Sequence, residues 1–162
     1  MQIHADVQAS ATVDFTPMVV PCPACGRKNR VPTAHLADPG RCGACKSEIP
    51  PRAVPIEVGP TEFDEIVRGA KVPVLIDFWA AWCAPCRMAA PEVEKVAEQA
   101  AGRALVLKVN TELHPALAAR FGVQGIPNFV VLRDGMVVGQ QAGLVSASRM
   151  LEWLSAAGGS PR

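Results

Sequence analysis

From Val74 to Ala80 apolar side chains follow one another almost without a break, and only Asp77 interrupts them. A strand buried on both faces has this look. Upstream, Phe63, Ile66 and Val67 share one face of a helix, with Thr61 the expected N-cap, Asp64 three residues later and Gly69 the expected end. Downstream, Val93, Val96, Ala97 and Ala100 recur at helical spacing, opposite Glu92, Lys95, Glu98 and Gln99. Pro91 should kink that helix. Leu105 to Val109 is a second apolar strand. Pro115 opens a short helix that Gly122 closes. Phe129 to Leu132 and Met136 to Gln140 flank Asp134-Gly135, a hairpin turn signal. Ser146 caps a last helix, with Met150, Leu151 and Leu154 turned inward. Strands separated by helices, then a hairpin, predict an α/β domain with a central mixed sheet flanked by helices.

The first third of the chain has none of this periodicity. Residues 19–50 hold few apolar side chains, mainly Val19, Val20, Val31, Leu36 and Ile49, and many prolines. A segment under ~40 residues seldom buries enough surface to fold without a staple. Pro50, Pro51, Pro55, Gly59 and Pro60 then read as a stiff linker. The expected layout is a tail over 1–18, a small module over 19–50, a linker over 51–59, the α/β domain over 60–158 and a short tail over 159–162.

Composition narrows the chemistry. The chain has 162 residues, 49% of them hydrophobic, and a formal charge of +1. That balance argues against a protein organised around nucleic-acid or membrane electrostatics. No apolar run reaches eighteen residues, so no transmembrane helix is expected. The first fifteen residues carry two acids and no Lys or Arg, unlike an export signal. The expected location is the cytoplasm. There, six cysteines are metal ligands or redox catalysts sooner than structural disulfides.

The cysteines form three Cys-x-x-Cys pairs: Cys22/Cys25, Cys42/Cys45 and Cys83/Cys86. The third pair lies between the buried strand and the next helix. A cysteine at a helix N-terminus faces unpaired N–H groups and the positive end of the helix dipole, which favour thiolate. Cys83 is therefore the expected exposed nucleophile. Cys86, one turn further in, is placed to resolve a mixed disulfide. Pro85 suits the first turn. A zinc half-site or two core cysteines remain the alternatives at this point. Asp77, a lone carboxylate in an apolar strand, should have a raised pKa if it is buried without a partner.

Val74-Leu75-Ile76-Asp77-Phe78-Trp79-Ala80-Ala81-Trp82-Cys83-Ala84-Pro85-Cys86-Arg87-Met88 resembles the active-site segment of thioredoxins, and Gly125-Ile126-Pro127 resembles their cis-proline loop. The likeness implies the thioredoxin fold from Pro60 to about Ala157. It implies a redox-active Cys83–Cys86 disulfide, with Asp77 as the buried acid that helps deprotonate Cys86 and Lys108 as a possible modulator. It also implies a cis bond before Pro127, with Trp82, Ile126 and Pro127 meeting the substrate and Trp79 and Trp82 forming an apolar platform beside the sulfurs. Two positions depart from the pattern. Ala84 stands where glycine is commonest, and Asn128 where threonine is usual; such positions help set the redox potential.

Cys22-x2-Cys25 and Cys42-x2-Cys45, sixteen residues apart, fit a four-cysteine Zn²⁺ site. The pairs look like a repeat, Cys-Pro-Ala-Cys-Gly-Arg and Cys-Gly-Ala-Cys-Lys-Ser. Gly26 allows a tight turn after the second ligand. His35 is expected to be a bystander, and His4 and His114 have no visible partners. A four-cysteine module ahead of such a domain resembles the bacterial thioredoxin 2 type. Residues 19–50 carry five basic and two acidic side chains and no aromatics for base stacking, so nucleic acid is disfavoured as a partner.

The expected function is reduction of disulfides in cytoplasmic client proteins by a monomer. The resemblance implies re-reduction by an NADPH-dependent thioredoxin reductase, and the zinc module is structural or redox-regulatory. A disulfide oxidase or isomerase, and a zinc-ribbon binding module on a thioredoxin scaffold, are the competing readings.

Overall fold

The computed structural model describes residues 18–158. Its centre is a five-stranded sheet in the order β5 (Ile56–Glu57), β7 (Leu105–Asn110), β6 (Val74–Trp79), β8 (Asn128–Arg133), β9 (Met136–Ala142). β6 (Val74–Trp79) runs parallel to β7 (Leu105–Asn110) and antiparallel to β8 (Asn128–Arg133). β8 turns through Asp134 and Gly135, both at positive φ, into β9 (Met136–Ala142), as the Asp-Gly pair predicts.

Side-chain alternation along β6 divides the core. Val74, Ile76 and Phe78 join Phe63 and Ile66 of α1 (Pro60–Gly69) and Leu117 of α3 (Pro115–Arg120) on one face. Leu75 faces the other way, onto Ala89, Val93 and Val96 of α2 (Ala84–Gln99) and Met150 and Leu154 of α4 (Ala147–Ala156). Asp77 and Trp79 follow Leu75 by twos, so they share the α2 face. Ser146 caps α4 through the Arg149 N–H, as expected.

Two local expectations are corrected. α1 begins before Thr61: Gly59 is its N-cap, and the Glu62 carboxylate accepts the Gly59 N–H at 3.2 Å. Pro60 fixes the backbone for the first helical position, which starts the helix early. Separately, Pro91 lies inside α2, which spans Ala84–Gln99. The proline is exposed and removes one internal hydrogen bond, a loss that water can make good. The segment 51–59 is not linker throughout. Ile56–Glu57 forms β5, the edge strand parallel to β7, and Ile56 and Val58 are buried. A two-residue strand bounded by prolines leaves no periodic signal.

Ahead of the sheet lie two small hairpins. β1 (Met18–Pro21) pairs with β2 (Lys28–Val31), and β3 (Gly40–Arg41) with β4 (Glu48–Ile49). Met18, assigned above to the tail, is thus the first residue of a strand; the rest of that tail and residues 159–162, like His4, lie outside the described residues. The hairpin unit is not a separate bead on a string. Between the hairpins a 3-10 turn, Thr33–His35, packs on α1, and Leu36 is buried within the same apolar cluster as Phe63, Ile66 and Ile76. A Cβ on Gly69 would meet Ala34 at 3.2 Å, so α1 and this turn pack closely.

Truncation of Leu36 to alanine is therefore expected to cost about 2–5 kcal/mol, the range for a fully buried leucine. Thermal unfolding of the sheet domain, followed by tryptophan fluorescence, should shift to lower temperature. An unchanged transition would mean that the hairpin unit does not contribute to that core.

Candidate functional site

The loop after β6 delivers Cys83 to the N-cap of α2. Its backbone is extended (φ −83°, ψ 109°), and its Sγ accepts the Cys86 N–H at 3.2 Å. The first turn of the helix therefore points a backbone dipole at this sulfur, an arrangement that stabilises negative charge there. Cys83 and Cys86 are joined in a disulfide, which excludes the half-site and unpaired-core alternatives for this pair. Arg87 donates to the Ala81 carbonyl at 2.9 Å and ties the loop to the helix.

Cys83 is less open than the sequence suggests. In the disulfide form its exposure is 3%, equal to that of Cys86. Ala80, Trp79 and Ile126 pack around the two sulfurs, and the Ile126 carbonyl oxygen lies 3.7 Å from Cys83 Sγ. The Ile126–Pro127 bond is cis. The Gly143 N–H donates to the Pro127 carbonyl at 2.8 Å, anchoring the loop to the chain beyond β9. Asn128 is buried and its Oδ1 accepts from Gln140 at 3.2 Å, so this departure from the family pattern is held by β9. Pro85 sits in the first turn of α2.

The two tryptophans differ in burial. Trp82 is 65% exposed beside the dithiol, together with Met88. Trp79 is half-buried, and its ring lies beneath the Lys108 ammonium, 4.6 Å from Nζ to the ring centroid.

Asp77 is 1% exposed, and its Oδ1 has no hydrogen-bond partner. Burial raises its pKa to about 7; Lys108 pulls it down and Glu57 pushes it up. The register explains these neighbours. Asp77 on β6 stands opposite Lys108 on β7, and Lys108 stands opposite Glu57 on β5. Sequence reasoning found Asp77 and Lys108 but missed Glu57. The signal would have been the parallel pairing of β5, which local sequence does not carry.

The remaining four cysteines converge. Their sulfurs all lie within 4.8 Å of one another, with Cys22–Cys45 and Cys25–Cys42 each at 3.6 Å. Four thiolates at the usual ~2.3 Å from Zn²⁺ would be separated by about 3.8 Å, so the cluster is close to the size a tetrahedral ion needs. Both knuckles close alike: the Gly26 N–H reaches the Cys22 carbonyl, and the Lys46 N–H reaches the Cys42 carbonyl. Gly26 and Lys46 both take positive φ, 77° and 63°. The repeat seen in the sequence is thus a repeat of backbone shape. The Ala44 N–H and the Asn29 amide point at Cys42 Sγ, at 3.4 and 3.6 Å. Backbone N–H groups of Cys45 and Ala44 lower the Cys42 pKa to about 6, whereas Cys25 is pushed up to about 11 by the neighbouring sulfurs, despite the opposing Arg27 N–H. Sulfurs this close cannot all ionise without a cation between them. Asn29 was not anticipated. His35 bonds to Asp38 at 2.9 Å and is not among the clustered ligands. His114 is the N-cap residue of α3, close to Gly59.

Comparison with known proteins agrees with both halves. The thioredoxin family profile matches residues 54–156, and a profile described as thioredoxin 2, N-terminal, matches 21–47. Thioredoxin C-3 of Corynebacterium nephridii is 37% identical over 85% of this chain and 93% of its own length. Thioredoxin 1 of Chlorobaculum tepidum is 44% identical over 54% of this chain and 86% of its own. Among solved structures, a mutant thioredoxin from Halobacterium salinarum superimposes with a TM-score of 0.61 at 36% identity, covering 65% of this chain and 92% of that one. Spinach chloroplast thioredoxin F does so with a TM-score of 0.59 at 32% identity, covering 65% and 87%. The protein belongs to the thioredoxin family, as a thiol–disulfide oxidoreductase whose N-terminal hairpins, with their four-cysteine cluster, match the thioredoxin 2 N-terminal family.

Proposed function

We propose that the protein reduces disulfides in cytoplasmic client proteins. The observation that carries this reading is Cys83 Sγ at the N-cap of α2, with the Cys86 N–H aimed at it and Cys86 one turn behind. In the reduced protein the Cys83 thiolate attacks a client disulfide, forming a mixed disulfide and releasing one client thiolate. Cys86 then attacks Cys83 Sγ, restoring the internal disulfide and releasing the second client thiolate. Two electrons pass to the client. Asp77 accepts the Cys86 proton; a buried carboxyl with a pKa of about 7 exchanges protons readily at neutral pH. The exposed Trp82 indole, with Ile126 and Pro127, receives the apolar part of the client. The Pro127 carbonyl already accepts the Gly143 N–H, and shape and the other backbone groups of the loop contribute to specificity there. Trp79 and Pro85 support the dithiol. An NADPH-dependent thioredoxin reductase returns the two electrons.

No helix among the described residues is long and apolar enough to cross a membrane. For the ribbon, Cys22, Cys25, Cys42 and Cys45 would hold one Zn²⁺, which supplies a cross-link between the two hairpins. Those hairpins have a core of only Val20, Cys22, Cys42 and Ile49, with Val31 beside it, too little to hold them together.

Two outcomes are expected. Cys86→Ser should accumulate a mixed disulfide with client protein, visible on non-reducing gels. Cys83→Ser should trap nothing, and both should lower kcat/KM by roughly three orders of magnitude or more. Trapping by Cys83→Ser instead would reverse the two roles. Metal analysis should find one zinc per chain, released stoichiometrically by a strong chelator at neutral pH. Cys42→Ser should retain little or none. A native chain without metal but with four titratable thiols would exclude the cross-link.

A further inference from the structure

Glu57, Lys108 and Asp77 form one row across three strands, on the face of the sheet that α2 covers. Lys108 is the middle member, paired in register with both carboxylates. Yet its ammonium makes no ion pair within 4.0 Å with either of them, and it rests over the Trp79 ring. The row passes from deep burial to solvent. Asp77 is fully buried, Lys108 is half-buried, and Glu57 stands exposed on the edge strand. There it lines an open cleft of about 460 Å³ with Trp79, Asn110, Leu113 and His114.

Resting on the reading of Asp77 as the proton acceptor, we propose that Glu57 is a positioning residue that draws the Lys108 ammonium outward. Asp77 is thereby left without a close counter-ion. One lysine faces two carboxylates. The nearer its ammonium sits to Glu57, the weaker its attraction on Asp77, and the Glu57 charge itself opposes ionisation of Asp77. The other groups around the row do not replace the lysine. β8 presents Phe129 opposite Asp77, and α2 presents the bonded Cys86 and apolar side chains. His114 faces Glu57. Although the residue as a whole is exposed, partial desolvation of its carboxyl at the cleft raises Glu57 above its ordinary value, with Lys108, Trp79 and His114 opposing that rise.

The test uses the full-length, zinc-loaded protein in the reduced form. Its oxidation by a small aromatic disulfide is followed by stopped flow from pH 5 to 9 at low ionic strength. The wild type should show an inflection from Asp77 in the resolving step, and Asp77→Asn should lose it. Glu57→Gln should move it to lower pH by about half a unit, because a repelling charge is gone and Lys108 is freed toward Asp77. Lys108→Gln should move the inflection the opposite way. A Glu57→Gln profile that superimposes on the wild type, while Asp77→Asn still loses the inflection, would overturn the inference and leave the Asp77 reading intact. An inflection that survives Asp77→Asn would overturn both. A merely structural role for Glu57 would change the melting temperature without moving the profile, and would equally contradict the inference.

Discussion

β6 has to be buried on both faces, and the arrangement of the molecule follows from that. Two hydrogen-bonded neighbours satisfy its backbone, and two helical layers cover its side chains. Buried this way, it holds the base of the dithiol loop rigidly, so the chain leaves Trp79 and enters α2 in a fixed direction. Cys83 becomes the N-cap because that exit is fixed. The same burial strips water from Asp77, and nothing in the fold gives its Oδ1 a partner in exchange. An unpartnered buried carboxyl is costly once ionised. A core selected only for stability would place an apolar residue there.

The two ends of the molecule use different solutions to a shortage of core. The sheet domain has two large apolar clusters. The ribbon has one small cluster and relies on four converging sulfurs, but it is also tied down from outside by Leu36, which lies in the core of the larger domain. The metal site and the dithiol are thus linked through a continuous packed structure, although no ligand of one touches the other among the described residues.

Much of this was readable in the chain. A long apolar run with one acid, a Cys-x-x-Cys pair at its end and a helical period beyond it sufficed to place Asp77, Cys83 and Cys86 on the right elements. Cys22, Cys25, Cys42 and Cys45 were readable from spacing alone, since the knuckle is a local shape. What stayed hidden depends on non-local register or packing. β5 is too short to show a period, so Glu57 passed for linker. Leu36 looked like one of a few apolar residues in a polar module, and only the docking of Thr33–His35 on α1 shows where it belongs. The covering of Cys83 by Ile126 arises from a loop more than forty residues away.

The claim on which most depends is that Asp77 is buried, unpartnered and neutral below about pH 7. Its most direct test is the unfolding free energy of the oxidised wild type and of Asp77→Asn, measured by denaturant titration from pH 4 to pH 9. A carboxyl near pKa 4 when unfolded and about 7 when folded binds more protons in the folded state between those values, so folding weakens as pH rises through that window. Asparagine carries no such penalty. The variant should therefore gain on the wild type as pH rises from about 4 to 7, reaching roughly 3–4 kcal/mol at pH 8, with the gap then constant. Two stability curves that stay parallel across that range would show that Asp77 titrates as an ordinary solvated acid, and would contradict the account.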